Sequence, residues 1–124
     1  MDDANVIDLS NAAVVHLKWF NFSQNNSGGY FIKNDTVDEE VFIQARNAAE
    51  AISTAERLFA PYSEYCECCG ERWSYWVTDE DGREQPSLYD IPISEAAAAW
   101  CRKQAKLHYY DGRVQTFVFH PQGN

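Results

Sequence analysis

The alternation of hydrophobic and polar positions divides the chain into several short extended stretches and two helical ones. Residues 14–22 read as a strand, with Val15, Leu17 and Trp19 on one face and His16, Lys18, Phe20 and Phe22 on the other. The run Ser23-Gln24-Asn25-Asn26-Ser27-Gly28-Gly29 contains no hydrophobic residue, and Tyr30-Phe31-Ile32 resumes the extended pattern. The expected local structure is a hairpin with a seven-residue loop, longer than the two-residue turns that sheets prefer. Asn34-Asp35 marks a break, and residues 40–45 form a third strand with Val41 and Ile43 toward the core.

The pattern then changes period. Asn47 is a capping residue, and Glu50, three positions on, is placed to reach back to it. Ala48, Ala51/Ile52, Ala55 and Leu58/Phe59 recur at helical spacing and make one apolar stripe, which Pro61 ends. Trp73, Tyr75 and Val77 alternate as one face of a fourth strand, and the polar stretch from there to Pro92 reads as loop. Ser94-Glu95 opens a second helix with Ala97, Trp100/Cys101, Ala105 and Leu107/His108 on its buried stripe. Arg102, Lys103 and Lys106 sit near its end, where the helix dipole favours cations. Asp111-Gly112 is a turn, and residues 114–120 are the last strand. Residues 1–12 carry no period and are expected to form a flexible arm, leaving a single domain over 13–124. The order β-β-β-α-β-α-β predicts an α+β fold: one largely antiparallel sheet of about five strands, with two helices packed on one face.

Composition supports a folded core, since 45% of the 124 residues are hydrophobic and 15% aromatic. No apolar run approaches the length of a membrane span, and no basic-then-apolar leader opens the chain, so a cytoplasmic protein with reduced cysteines is expected. The net charge of −9 disfavours direct nucleic-acid binding, which depends on Lys and Arg neutralising phosphates. The acids are uneven: Glu64, Glu67, Glu71, Asp79, Glu80, Asp81, Glu84 and Asp90 face only Arg72 and Arg83 in the same segment. An acidic face can compete with nucleic acid for a basic partner; the plainer reading is that it keeps the protein soluble.

Three groups of residues carry candidate chemistry. Cys66, Cys68 and Cys69 crowd into four positions, and Cys66/Cys69 have the C-x-x-C spacing that lets two thiolates hold one zinc ion. A structural zinc site takes four ligands, so Cys101, His16, His108 or His120 would have to complete it through the fold; otherwise the cysteines pack as small hydrophobes and no cofactor is expected. The loop Asn25, Asn26, Ser27, Gly28 and Gly29 can turn successive N–H groups inward as an anion-binding nest, or be an ordinary connection. Arg72 and Trp73 pair a phosphate-binding cation with a base-stacking ring, within a larger set of aromatics that equally suits a core. None of the histidines has a Ser, Cys or carboxylate at a suggestive spacing, so no catalytic constellation can be named and the chain reads as a non-enzyme.

The Asn-Asn-Ser-Gly-Gly loop with its aromatic strand, the stretch VFIQARNAAEA, and Cys-x-Cys-Cys-Gly-x-Arg-Trp at 66–73 together resemble an uncharacterised family of small tailed-bacteriophage proteins. The resemblance spans residues 20–73 and leaves the C-terminal part unmatched; Glu67 and Glu71 stand where the family tends to carry proline or another residue, and aspartate. It implies a viral origin and expression in the host bacterial cytoplasm. Small phage accessory proteins of this kind resemble counter-defence factors of two types. One is a sponge that sequesters a nucleotide-derived immune signal, with residues 25–29, Arg72 and Trp73 as its contacts. It is the favoured expectation, and because so short a chain has little depth for a closed pocket, a homo-oligomer is expected with it. The other is an acidic inhibitor of a host defence nuclease or sensor. A zinc-stabilised structural or housekeeping protein is the third possibility.

Overall fold

The computed structural model describes residues 16–63, 65–66, 70–88, 90–95 and 104–119. In chain order the strands are β1 (Lys18–Ser23), β2 (Glu40–Ala45), β3 (Tyr65–Cys66), β4 (Gly70–Glu71), β5 (Ser87–Leu88), β6 (Ile91–Pro92), β7 (Gln104–His108) and β8 (Val114–Val118). Among the described residues there is one α-helix, α1 (Ala48–Phe59), which follows β2 and runs into a short 3₁₀ turn, Ala60–Tyr62. The main sheet has the order β1-β2-β7-β8; β3 pairs with β4 and β5 with β6 as two small antiparallel ribbons. The architecture is α+β, as the pattern of elements predicts.

The sheet has four strands and is mixed, where about five largely antiparallel strands are expected. β1 and β2 are antiparallel, β2 and β7 parallel, and β7 and β8 antiparallel. β2 sits between two partners and is buried on both faces, the usual environment of a strand next to a parallel neighbour. Val41, Ile43 and Ala45 join Phe20 and Phe22 of β1 beneath Ala51, Ala55 and Phe59 of α1. On the opposite face, Phe42 packs with Trp19, Leu88, Ile93, Ala105, Leu107 and Phe119. The sheet thus has two cores, and the polar-looking stretch before Pro92 supplies part of the second.

The expected hairpin between residues 14–22 and 30–32 is not formed; β1 pairs with β2 from Lys18↔Ala45 to Ser23↔Glu40. The reason is local. The Gln24 side-chain amide accepts from the Ile32 N–H at 2.7 Å and donates to the Ile32 carbonyl at 3.0 Å, occupying both groups that a neighbouring strand would use.

The expected second helix is also corrected at its end. Residues 104–108 are strand β7, in which Ala105 and Leu107 face one core while Lys106 and His108 face the other side. A short alternating segment had been hidden in an alanine-rich stripe compatible with either period, and two ladders of backbone hydrogen bonds decide it. Residues 96–103, including Trp100 and Cys101, lie outside the described residues, as do the N-terminal arm and His120. α1 forms as expected: Asn47 Oδ1 accepts from the Glu50 N–H at 2.8 Å. Glu50 reaches one residue further back than the cap and accepts from the Arg46 N–H at 2.8 Å. Asp79 adds a second cap by accepting from the Ala48 N–H at 2.8 Å, so a distant loop fixes the start of the helix.

Candidate functional site

The loop that follows β1 and the chain that leaves β4 come together, so two motifs nearly fifty residues apart form one structure. The Asn25 N–H donates to the Arg72 carbonyl at 2.7 Å, and Asn25 Nδ2 donates to the Glu71 carbonyl at 3.1 Å. Arg72 lies beneath the loop, 1% exposed. Its Nη1 donates to Gln24 Oε1 and the Tyr30 carbonyl, each at 2.9 Å, and to the Asn25 carbonyl at 3.4 Å. Its guanidinium carbon stands 4.7 Å from the centre of the Tyr30 ring. A buried cation needs polar partners, and here the Gln24 side chain and two backbone carbonyls of the loop take the Nη1 donors. Gly28 and Gly29 have φ of 79° and 87°, the left-handed backbone that the loop composition anticipates. A side chain at Gly28 would meet the Tyr30 ring at 2.9 Å. Asn26, Gly28 and Gly29 are exposed at the tip, and Ser27 contributes its backbone to the same turn.

Trp73 is likewise committed to the interior. It is 4% exposed, stacks on Phe59 with ring centres 3.9 Å apart and planes at 14°, and donates from Nε1 to the Tyr62 carbonyl at 3.1 Å. Arg72 is therefore brought together with the 25–29 loop as the post that holds it, while the adjacent Trp73 is committed to the core against Phe59. From Trp73 to Thr78 the chain is extended and alternates as expected, with Trp73, Tyr75 and Val77 inward and Ser74, Trp76 and Thr78 outward. It is not a strand, because among the described residues it pairs with no neighbour; it lies against Phe59 and Phe22 through side chains instead.

This geometry leaves Trp76 87% exposed, rare for the largest apolar side chain. It borders a shallow hollow of about 500 Å³ with Glu71, Trp73, Ser74 and Tyr75. Burial raises the Tyr75 phenol above its ordinary pKa, and the carboxylates of Glu56 and Glu71 raise it further, so the hollow sits in a negative field. Among the described residues Glu56, Glu71 and Glu80 have no cationic partner. Other acids of the segment do have partners. Asp79 caps α1, Asp81 accepts from the Thr78 N–H at 2.7 Å, Glu84 meets His16 at 2.8 Å and Asp90 meets Arg83 at 2.6 Å. The exposed Trp76 was visible in the sequence only as one aromatic among many. Its alternation with Trp73 and Tyr75 was the signal that it points outward.

The backbone of Cys66 is in β3; Cys68 and Cys69 lie outside the described residues, and the described residues contain no group of three or more His, Cys, Asp and Glu that could hold a metal ion. Nor do they contain a helix long and apolar enough to cross a membrane.

No curated protein and no solved structure matches the chain. A family match covers residues 17–123, almost the whole sequence, and so includes the loop, the Arg72 post and the Trp76 face. The chain belongs to the family defined by the domain of unknown function DUF7296.

Proposed function

We propose that this chain is a non-catalytic binding protein that engages a basic protein partner through the acidic, aromatic face around Trp76. The observation that carries the reading is Trp76 itself, 87% exposed on a hollow shared with Glu71 and with Tyr75, whose phenol feels both Glu56 and Glu71; among the described residues these two carboxylates have no cationic partner. Tryptophan is enriched among the residues that dominate protein interfaces, because it buries a large rigid surface at little cost in conformational freedom. Carboxylates around such an anchor select cations and speed encounter with a basic surface. The resemblance to phage accessory proteins gives this activity a setting: an inhibitor in the host bacterial cytoplasm, occupying the nucleic-acid surface of a defence nuclease or sensor. Sequestration of a nucleotide-derived signal at residues 25–29 is the second reading. Its support is the meeting of that loop with Arg72, although Arg72 and Trp73 already have partners within the protein.

The test compares wild-type protein with Trp76→Ala and Glu56→Gln/Glu71→Gln variants as baits in bacterial lysate, with captured proteins quantified by mass spectrometry. A basic protein retained by the wild type, released by moderate salt and lost from both variants supports the proposal. Equal capture by all three baits, or capture insensitive to salt, overturns it.

A further inference from the structure

A second hollow lies on the far side of α1, where the helix covers β1 and β2 but leaves the adjoining face of β7 and β8 open. Its volume is about 360 Å³, at the low end for small-molecule sites. One wall is a single flank of α1, with Glu50, Thr54 and Arg57 at successive turns; the other is the β7–β8 turn with Tyr109 and Tyr110, and His108 lies between. β2 and β7 run parallel and both end here, at Ala45 and His108. At the carboxyl ends of parallel strands the connecting chains diverge and leave a crevice, which is where open α/β sheets hold ligands.

The charges in this hollow differ from those of the chain as a whole. Arg46 holds Glu50 through Nε and Nη2, at 3.0 and 2.7 Å, so that carboxylate is matched. Arg57 is exposed and makes no ion pair among the described residues. Lys106 and Arg57 both act on His108 as positive charges, within a protein of net charge −9. His108 is 8% exposed, and its Nε2 lies 2.7 Å from the Thr36 carbonyl oxygen. A carbonyl can only accept, so the ring proton is on Nε2 and Nδ1 keeps its lone pair. The hollow thus offers an unmatched guanidinium, an imidazole acceptor, the Thr54 hydroxyl and two tyrosine rings.

We propose that the hollow between α1 and the β7–β8 turn is a binding site for an organic anion of mononucleotide size. Arg57 meets the phosphate or carboxylate, His108 accepts a hydrogen bond from a ring N–H or O–H, and Tyr110, half exposed at the rim, covers the ring. The site shares no residue with the Trp76 face, and its occupation does not depend on the protein partner proposed for that face.

The test is calorimetry and backbone-amide NMR on the full chain at neutral pH. The probes are adenosine 5′-monophosphate, inorganic phosphate, benzoate and adenosine. Adenosine monophosphate or benzoate is expected to shift the amides of Thr54, Arg57, Tyr110 and Gly112, with inorganic phosphate and adenosine binding more weakly at the same residues. The tighter of the first two identifies the anionic group. Arg57→Gln, at an exposed position, is expected to weaken that binding about tenfold or more while leaving the melting temperature unchanged. Three outcomes overturn the proposal: no shift from any anion at millimolar concentration, shifts confined to residues outside the hollow, or undiminished affinity in Arg57→Gln.

Discussion

Arg72 Nη1 donates to Gln24 Oε1 at 2.9 Å, and both side chains are buried, 1% and 6% exposed. The same Gln24 oxygen accepts from the Ile32 N–H, and the Gln24 amide nitrogen donates to the Asp38 carbonyl at 2.8 Å. Gln24 therefore ties the ascending limb of the loop, the descending limb and the arginine to one side chain. Each partner satisfies groups that would otherwise be buried bare. Gln24→Leu and Arg72→Leu are each expected to cost about 2–4 kcal/mol in urea denaturation. The double variant should cost clearly less than the sum, because each single change strands the other's polar atoms. Additivity within about 0.5 kcal/mol would show that the two do not act as a unit.

The two neighbouring tryptophans should separate stability from binding. Trp73→Ala removes the ring stacked on Phe59 and is expected to cost about 3–5 kcal/mol. Trp76→Ala should leave the denaturation midpoint within about 0.5 kcal/mol of wild type, as for other exposed positions. It should also leave adenosine monophosphate binding intact, just as Arg57→Gln should leave capture of a protein partner intact. A Trp76→Ala protein that unfolds readily would place that ring in a core.

His108 gives stability a pH dependence of known sign. Burial holds its pKa below the ordinary value of about 6.5, with Lys106 and Arg57 adding to the effect and the Thr36 carbonyl opposing it. The unfolded chain therefore binds the proton more readily, and the histidine's contribution is complete above about pH 6.5 and lost as the pH falls through that value toward the folded pKa. Asp38 works in the opposite sense at lower pH, since burial raises its pKa and protonation relieves a cost in the folded state. Melting temperatures are expected to fall from pH 7.5 to 5.5. His108→Gln, which keeps a donor for the Thr36 carbonyl, should flatten that slope. An unchanged slope in this variant would assign the acid sensitivity to another group.

Two loop side chains hold the first turn of α1 from different directions, Asn47 on the Glu50 N–H and Asp79 on the Ala48 N–H. Asn47→Ala is expected to cost about 1 kcal/mol, as N-cap deletions do. Asp79→Ala should cost as much and also loosen the turn that follows the Trp76 segment. Thermal melts would register each as a drop of several degrees. If Asp79→Ala leaves the melt unchanged, the contact between the acidic turn and the helix is not a working cap.

The α+β class and α1 were legible in the sequence because they rest on local signals: a cap, a 3.6-residue period and a proline stop. Val41 and Ile43 facing the core and the inward set Trp73, Tyr75 and Val77 were legible through their period of two. What failed was pairing. Nothing local says that the Gln24 amide occupies Ile32, so the chain at 30–32 looked like a strand with β1 as its partner. Gln104–His108 was ambiguous for a related reason: five residues with alternate apolar positions fit a helical stripe as well as a strand, and only the ladders to β2 and β8 decide. The loop and Arg72, grouped in the sequence as contacts of one ligand, lie against each other in the fold. The burial of Arg72 was not foreseeable, because an arginine beside a glycine-rich loop has the same sequence signature whether it faces a phosphate or the loop's own carbonyls. The anion hollow gave no linear signal; its residues come from α1, β2, β7 and the β7–β8 turn, brought together by the parallel register of β2 and β7.

The two margins of the main sheet are finished differently. β1 is bridged at Trp19 by Arg83, through reciprocal backbone hydrogen bonds of 2.8 and 3.0 Å, so that margin is capped by the chain itself. β8 has only β7 beside it among the described residues, and Val114 and Val118 are 47% and 63% exposed. A margin of this kind is a splice point: another strand can be added along it without disturbing either core. Lysine and proline, which commonly guard such margins, do not occur within Val114–Val118. Growth of the sheet across β8 by a second copy would set two hollows on a common surface, and would give the expected homo-oligomer a route that costs the fold nothing.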